Sequence, residues 1–189
     1  MKETGSRGMK TIDMTYVALF SVLIVICSWI SVPTAVPFTM QTFALFTIIG
    51  LLGTKKAFIS TCVYLLLGTV GLPVFSGFKG GIGHLFGVTG GYLIGFLLTV
   101  LISGTLLNVG FKKRKPTLVT YCISMFLGLL ACYGFGTAWY ILLYANSTGS
   151  ISVTSVLSIC VFPFVLTDIV KIFLSYYVCH NLKKTLVKL

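Results

Sequence analysis

Leu72-Pro73-Val74-Phe75-Ser76-Gly77-Phe78-Lys79-Gly80-Gly81, continuing through Gly83, His84 and Gly87 to Thr89-Gly90-Gly91-Tyr92, is where this chain turns from hydrocarbon to glycine, hydroxyl and a lone cation. The sequence around it is overwhelmingly apolar. Of 189 residues, 57% are hydrophobic and only 9% charged, whereas the surface of a soluble domain needs roughly a quarter charged residues. The chain therefore reads as an all-α integral membrane protein, and the glycine stretch as the place built to receive something.

The formal charge of +11 would suggest nucleic acid in a soluble protein. Its placement argues for topology instead. Twelve of the 14 basic residues fall in four clusters: Lys2, Arg7 and Lys10; Lys55 and Lys56; Lys112 to Lys115; and Lys183, Lys184 and Lys188. Cytoplasmic loops collect such residues, and the Lys112 to Lys115 run also suits anionic lipid. Only Lys79 and Lys171 stand elsewhere. The six cysteines lie within apolar segments and form no CxxC pair, so neither a disulfide framework nor a metal site is expected.

Walking the chain gives six spans with both termini inside. Met14 to Ile30 is the first, read as a retained span and not a signal peptide, with Ala18, Ser21 and Ser28 along one side for packing against a helix of this chain or of another subunit. An extended connection kinked at Pro33 and Pro37 follows. The second span, Thr39 to Leu52, covers about 21 Å as a helix against about 30 Å of hydrocarbon. The loop before it must therefore dip into the membrane, which makes Val36 to Thr42 a candidate cavity wall. Ala57 to Leu72 is the third span. From Gly83 a fourth helix is expected, with Gly83, Gly87, Gly91, Gly95, Thr99 and Ser103 on one face; Gly91 onwards favours helix packing, whereas Gly77, Gly80 and Gly81 favour positive φ or close approach to a ligand. Thr117 to Tyr144 is the fifth, with its own small-residue row at Ser124, Gly128, Cys132 and Gly136, and Asn146 to Ser152 an outer loop. Pro163 suits the first turn of a sixth span ending near Leu182, with Val153 to Phe162 lying over the outer side; one long helix kinked at the proline is the alternative. A single domain, 1–189, results, with a cytoplasmic arm at 1–13 and a basic tail at 183–189.

On the sixth helix Phe164, Asp168, Lys171 and Ser175 form one stripe. A charge in hydrocarbon costs at least about 2.5 to 3.5 kcal/mol, so Asp168 and Lys171 face a partner or a cavity: either a self-contained pair that fixes packing, or a donor and an acceptor for a polar ligand. Lys79 is either a solvated loop lysine or a cationic contact for a ligand carboxylate. Gln41, Thr39, Ser76, Thr89 and Tyr92 would add neutral hydrogen-bonding groups, and Phe38, Phe75 and Phe78 aromatic walls. No phosphate-binding lysine loop, HExxH or Ser-His-Asp set is present, so the chain is not expected to be an enzyme.

The run Gly71 to Gly83, then Gly87 to Leu93, with Val36-Pro37-Phe38-Thr39-Met40-Gln41-Thr42 before and Pro163-Phe164 through Asp168 and Lys171 after, resembles the BioY family, the biotin-binding S components of energy-coupling factor (ECF) transporters. The resemblance runs from the first span to about Ser175. It implies a six-helix S-component fold in the plasma membrane with a biotin pocket near the outer surface. The ligand positions would be Gln41, Lys79, Asp168 and Lys171, joined by Phe38, Thr39, Phe75, Ser76, Gly77, Phe78, Gly80, Gly81, Thr89, Gly90, Gly91 and Tyr92. It also implies a transmembrane T component and two cytoplasmic ATPases as partners, no cofactor on this chain and no nucleic acid; a homo-oligomer stays open. Val88 stands where the family usually has proline, and Ala18 with Val22 where many S components carry an alanine pair that docks the T component. An S component for another small vitamin, or an ion-coupled carrier using Asp168 and Lys171, are the rival readings, and the end of biotin that meets this pair stays undetermined.

Overall fold

The computed structural model describes residues 9–34, 36–110, 117–148 and 153–186. Lys2, Arg7, the basic loop Lys112 to Lys115, Lys188 and residues 149–152 of the expected outer loop lie outside the described residues. The chain is helical: α1 Thr11–Trp29, α2 Gln41–Leu52, α3 Thr54–Thr69, α4 Ile82–Leu85, α5 Gly90–Gly110, α6 Leu118–Thr148, α7 Val153–Cys160 and α8 Phe162–Leu186, with a small hairpin of β1 Ser31–Val32 and β2 Phe38–Thr39 between α1 and α2. Among the described residues α1, α5, α6 and α8 are long and apolar enough to cross a membrane. The shorter α2 and α3 complete the bundle.

Cross-helix bonds give each helix its direction. Asp13 near the start of α1 pairs with Lys56 at the start of α3, and Asn108 near the end of α5 donates to Thr54 Oγ1, 2.9 Å away. Farther along, Ser21 Oγ donates to Ser60 O and Ser28 Oγ to Val74 O, so α1 and α3 run parallel. α2 and α8 are also parallel, joined by Thr42 to Asp168 at one level and by Cys179 to the Thr47 carbonyl at another. Lys10, Lys55, Lys56 and Lys183 thereby gather at one end of the bundle. The hairpin, the glycine stretch and the starts of α5 and α8 gather at the other.

The small-residue rows on α5 and α6 mesh, as their spacing requires. A side chain at Gly95 would meet Cys132, one at Gly128 would meet Ser103 Oγ and the Thr99 carbonyl, and one at Gly136 the Tyr92 ring. Thr99 Oγ1 donates to both the Gly95 and the Gly128 carbonyls. In membranes this close approach supplies the packing that lipid cannot displace. On α1 the expected face divides: Ser21 and Ser28 are buried, whereas Ala18 and Val22 are exposed.

Two local features depart from the sequence reading and a third follows it. The connection after α1 is a paired hairpin, Ser31 opposite Thr39 and Val32 opposite Phe38, which satisfies backbone groups that an unpaired dip would leave bare. The helix expected from Gly83 is two: α4 stops at Leu85 and α5 starts at Gly90, and the turn between them, with the Gly90 N–H bonded to the Gly87 carbonyl, brings the Leu85 carbonyl to 1.6 Å from where a Gly90 Cβ would sit, so only glycine fits there. Gly83 and Gly87 are therefore off the packing face. Pro163 occupies the first turn of α8, where its missing N–H costs nothing, and α7 is a separate helix.

Candidate functional site

At the end opposite the lysines a cleft opens, enclosing about 700 Å³ of empty space with open solvent at its mouth included. Its walls come from the hairpin and α2 (Val36, Pro37, Thr39, Gln41, Thr42), the glycine stretch and α4 (Phe75, Ser76, His84, Thr89), α5 (Tyr92, Leu93, Phe96), α6 (Leu129, Cys132, Tyr133), Cys160 of α7, and Phe164, Asp168 and Lys171 of α8. The hairpin places Thr39 and the α2 start against α8.

The deep end is an ionic network. Asp168 and Lys171 are 3% and 5% exposed. Lys171 Nζ donates to Asp168 Oδ1 at 2.8 Å, to the Thr39 carbonyl at 2.7 Å and to Thr42 Oγ1 at 3.1 Å, which employs all three of its hydrogens. The Phe38 ring centroid lies 4.2 Å from the ammonium and the ring stacks on Phe164, adding a cation–π contact. Thr42 Oγ1 donates to Asp168 Oδ1 at 2.8 Å, and Tyr133 Oη donates to Oδ2. Gln41 Nε2 donates to Tyr64 Oη at 2.6 Å, while Gln41 Oε1 accepts from Thr39 Oγ1 at 2.8 Å. The pair is buried, partnered and hydrogen-bonded, which is what a charge at this depth needs.

Hydrogen-bond capacity is left over on residues that line the cleft. Asp168 Oδ2 accepts from Tyr133 and retains a second lone-pair site; Tyr133 Oη donates once and can still accept; Gln41 retains one amide hydrogen. Acceptor sites on Asp168 and Tyr133 and a donor on Gln41 are thus among the groups that remain, and no hydrogen of Lys171 is unspent.

The candidate residues sort by position. Asp168, Lys171, Gln41, Thr39, Phe75, Ser76, Thr89 and Tyr92 line the cleft, and Phe38 is not among the lining residues but packs against Lys171 and Phe164. Lys79, Gly77, Phe78 and Gly80 are exposed on the loop above, with Phe78 64% exposed against Trp29. The loop is a tight turn closed by the Phe75 N–H to the Lys79 carbonyl, with Gly77 and Phe78 at φ +70° and +58°. Its glycines serve conformation: Gly81 sits at φ +96°, and a side chain at Gly80 would strike the Leu72 carbonyl. Gly90 and Gly91 press on Leu85 and Trp139 and do not line the cleft. Sequence reasoning missed Tyr133 and His84. A tyrosine one turn from Gly136 on a small-residue face was the available signal for the first; a histidine inside the glycine stretch was the signal for the second.

A model of the BioY family matches residues 1–188. The chain belongs to the BioY family. Among relatives of this BioY chain is "Biotin transporter BioY" of Thermotoga maritima, 36% identical over 167 residues, or 88% of this chain and 92% of that protein. "Probable biotin transporter BioY" of Pyrococcus horikoshii is 35% identical over 176 residues, covering 93% and 98%. The fold resembles a crystal structure of the S-component for biotin from an ECF-type ABC transporter, with a TM-score of 0.81 and 26% identity over 94% of this BioY chain and 95% of that one.

Proposed function

We propose that this BioY-family chain captures biotin in the cleft and delivers it across the plasma membrane as the S component of an ECF-type transporter, without enzymatic activity or a cofactor of its own. The observation that carries the reading is the leftover hydrogen-bonding at the deep end, on a chain whose relatives are biotin transporters. Biotin's ureido group offers two N–H donors flanking a carbonyl acceptor. Asp168 Oδ2, Tyr133 Oη and the spare Gln41 amide hydrogen offer the complement. Lys171 has no hydrogen to spare for a carboxylate, so the ureido ring goes deep, the apolar body lies along Tyr92, Phe96 and Leu129, and the carboxylate faces the mouth.

The same reading has α1, α2, α3, α5, α6 and α8 as six spans with both termini cytoplasmic. The lysines at the end of the bundle away from the cleft support it. A transmembrane T component and two ATPases would supply the energy, and the exposed Ala18 and Val22 strip on α1 suits the docking of such a partner.

Equilibrium binding of labelled biotin to purified protein tests the assignment, and an affinity no tighter than about micromolar, roughly 8 kcal/mol, would count against it. Tyr133→Phe keeps the ring and removes one bond to a charged carboxylate, a loss of about 1.5 to 3 kcal/mol. The expected result is biotin binding weakened by about tenfold or more in the same assay. Unchanged affinity would remove Tyr133 from the ureido site.

A further inference from the structure

At the mouth of the cleft stands a titratable side chain that the deep network does not use. His84 belongs to α4, entered through Gly81. Its imidazole lines the cleft beside Ser76 and Thr89 and leans on the buried Phe75 ring, centroids 5.4 Å apart. The Phe75 N–H is bonded to the Lys79 carbonyl at 2.9 Å, so one short turn carries both the ring that supports the imidazole and an exposed ammonium.

The groups facing His84 can be named by element. Lys79 lies on the loop. Tyr64 of α3 is behind Phe75, and Tyr92 of α5 shares the wall. Across the cleft are Cys132 and Tyr133 of α6, Cys160 of α7, and Asp168 with Lys171 of α8. Of the carboxylates among the described residues, Asp13 pairs with Lys56 at the opposite end of the bundle and Asp168 already bonds Lys171, Thr42 and Tyr133. Burial and the Lys79 charge hold the His84 proton affinity below the ordinary histidine range, so the ring is neutral at neutral pH.

We propose that His84 is a specificity-determining residue that, with Lys79, receives the ligand's carboxylate at the mouth of the cleft and holds it more tightly as the pH falls. The inference rests on the biotin reading above. An incoming carboxylate replaces lost solvation with an opposite charge, which favours the imidazolium. The bound complex therefore takes up a proton, and affinity must rise on acidification until the free ring is itself protonated. Biotin's carboxyl stays ionised through this range, since ordinary carboxyls titrate near pH 4. A neutral-ended analogue lacks the charge and gains nothing.

The experiment measures dissociation constants for biotin and for its primary amide between about pH 8 and about pH 5.5, a window that spans the ordinary histidine titration. Biotin affinity is expected to rise about three- to tenfold across it, a fraction of the tenfold per pH unit that one proton allows. The amide should stay flat, and His84→Gln should flatten the biotin profile. Calorimetry on the unmodified protein in buffers of different ionisation heat should show proton uptake with biotin and none with the amide, a readout independent of whether the variant folds. An equal slope for the amide, a slope retained in His84→Gln, or no proton uptake overturns the proposal while leaving biotin binding intact. A protein that binds biotin at no pH overturns the functional reading and this inference together.

Discussion

Lys171→Met is expected to abolish measurable biotin binding and to lower the stability of the purified protein by about 3–5 kcal/mol, read as a fall in its thermal midpoint in detergent. The reason is asymmetry. Methionine keeps most of the bulk over the Phe38 ring but leaves Asp168 buried at 3% exposure without its counter-charge. Thr42 and Tyr133 would remain as donors, and the Thr39 carbonyl would lose the ammonium that ties the hairpin to α8. Adding Asp168→Asn on top should restore most of the lost stability, because two neutral groups no longer leave a charge exposed to hydrocarbon. It should not restore binding, since the amide is uncharged and replaces one of the two acceptor oxygens by an NH2 donor. A Lys171→Met protein that binds biotin normally would reduce the pair to a packing device.

Gly68→Val should close the cleft from a position that does not line it. A Cβ at Gly68 would lie 2.0 to 2.6 Å from three atoms of the Phe75 ring. That ring is fully buried, with Tyr64 packed edge-on at 5.6 Å and His84 at 5.4 Å. It also lines the cleft. Overpacking of this kind costs about 1–3 kcal/mol, and relief by displacement of Phe75 into the ligand space converts that to roughly ten- to a hundredfold in biotin affinity. Membrane insertion and yield should be unaffected. Phe75→Leu in the same chain is expected to recover part of the binding; a Gly68→Val protein that binds like the parent would mean the ring has room to yield elsewhere.

Much of the site's chemistry was legible on α8 because helical spacing and desolvation act along one element. Phe164, Asp168, Lys171 and Ser175 are all buried, as a stripe carrying two charges through hydrocarbon has to be. Pro163 marked the first turn correctly because its constraint is local. The packing rows of α5 and α6 were readable for the same reason, from Gly95 and Thr99 against Gly128 and Cys132. The glycine stretch was harder. Its density of glycine signalled irregular backbone, but a glycine serving φ, such as Gly77 or Gly81, looks in sequence like one admitting a ligand. Lys79 was legible as the lone cation of that stretch, whereas its exposed position above the cleft lining was not.

Composition and charge clusters alone decide that this chain belongs in a membrane and which helices carry small-residue faces, since hydrophobicity, helical period and the cost of a buried charge are properties of each segment taken by itself. The meeting of Tyr133 with Asp168, the three-way engagement of Lys171 and the seat of His84 at the cleft mouth were decided by tertiary packing. Those contacts join residues 35, 129 and 132 positions apart or depend on a turn between α4 and α5 that brings the Leu85 carbonyl too close for anything but glycine at position 90. Helical period says which face a residue occupies; which neighbour faces it depends on how the helices pack together.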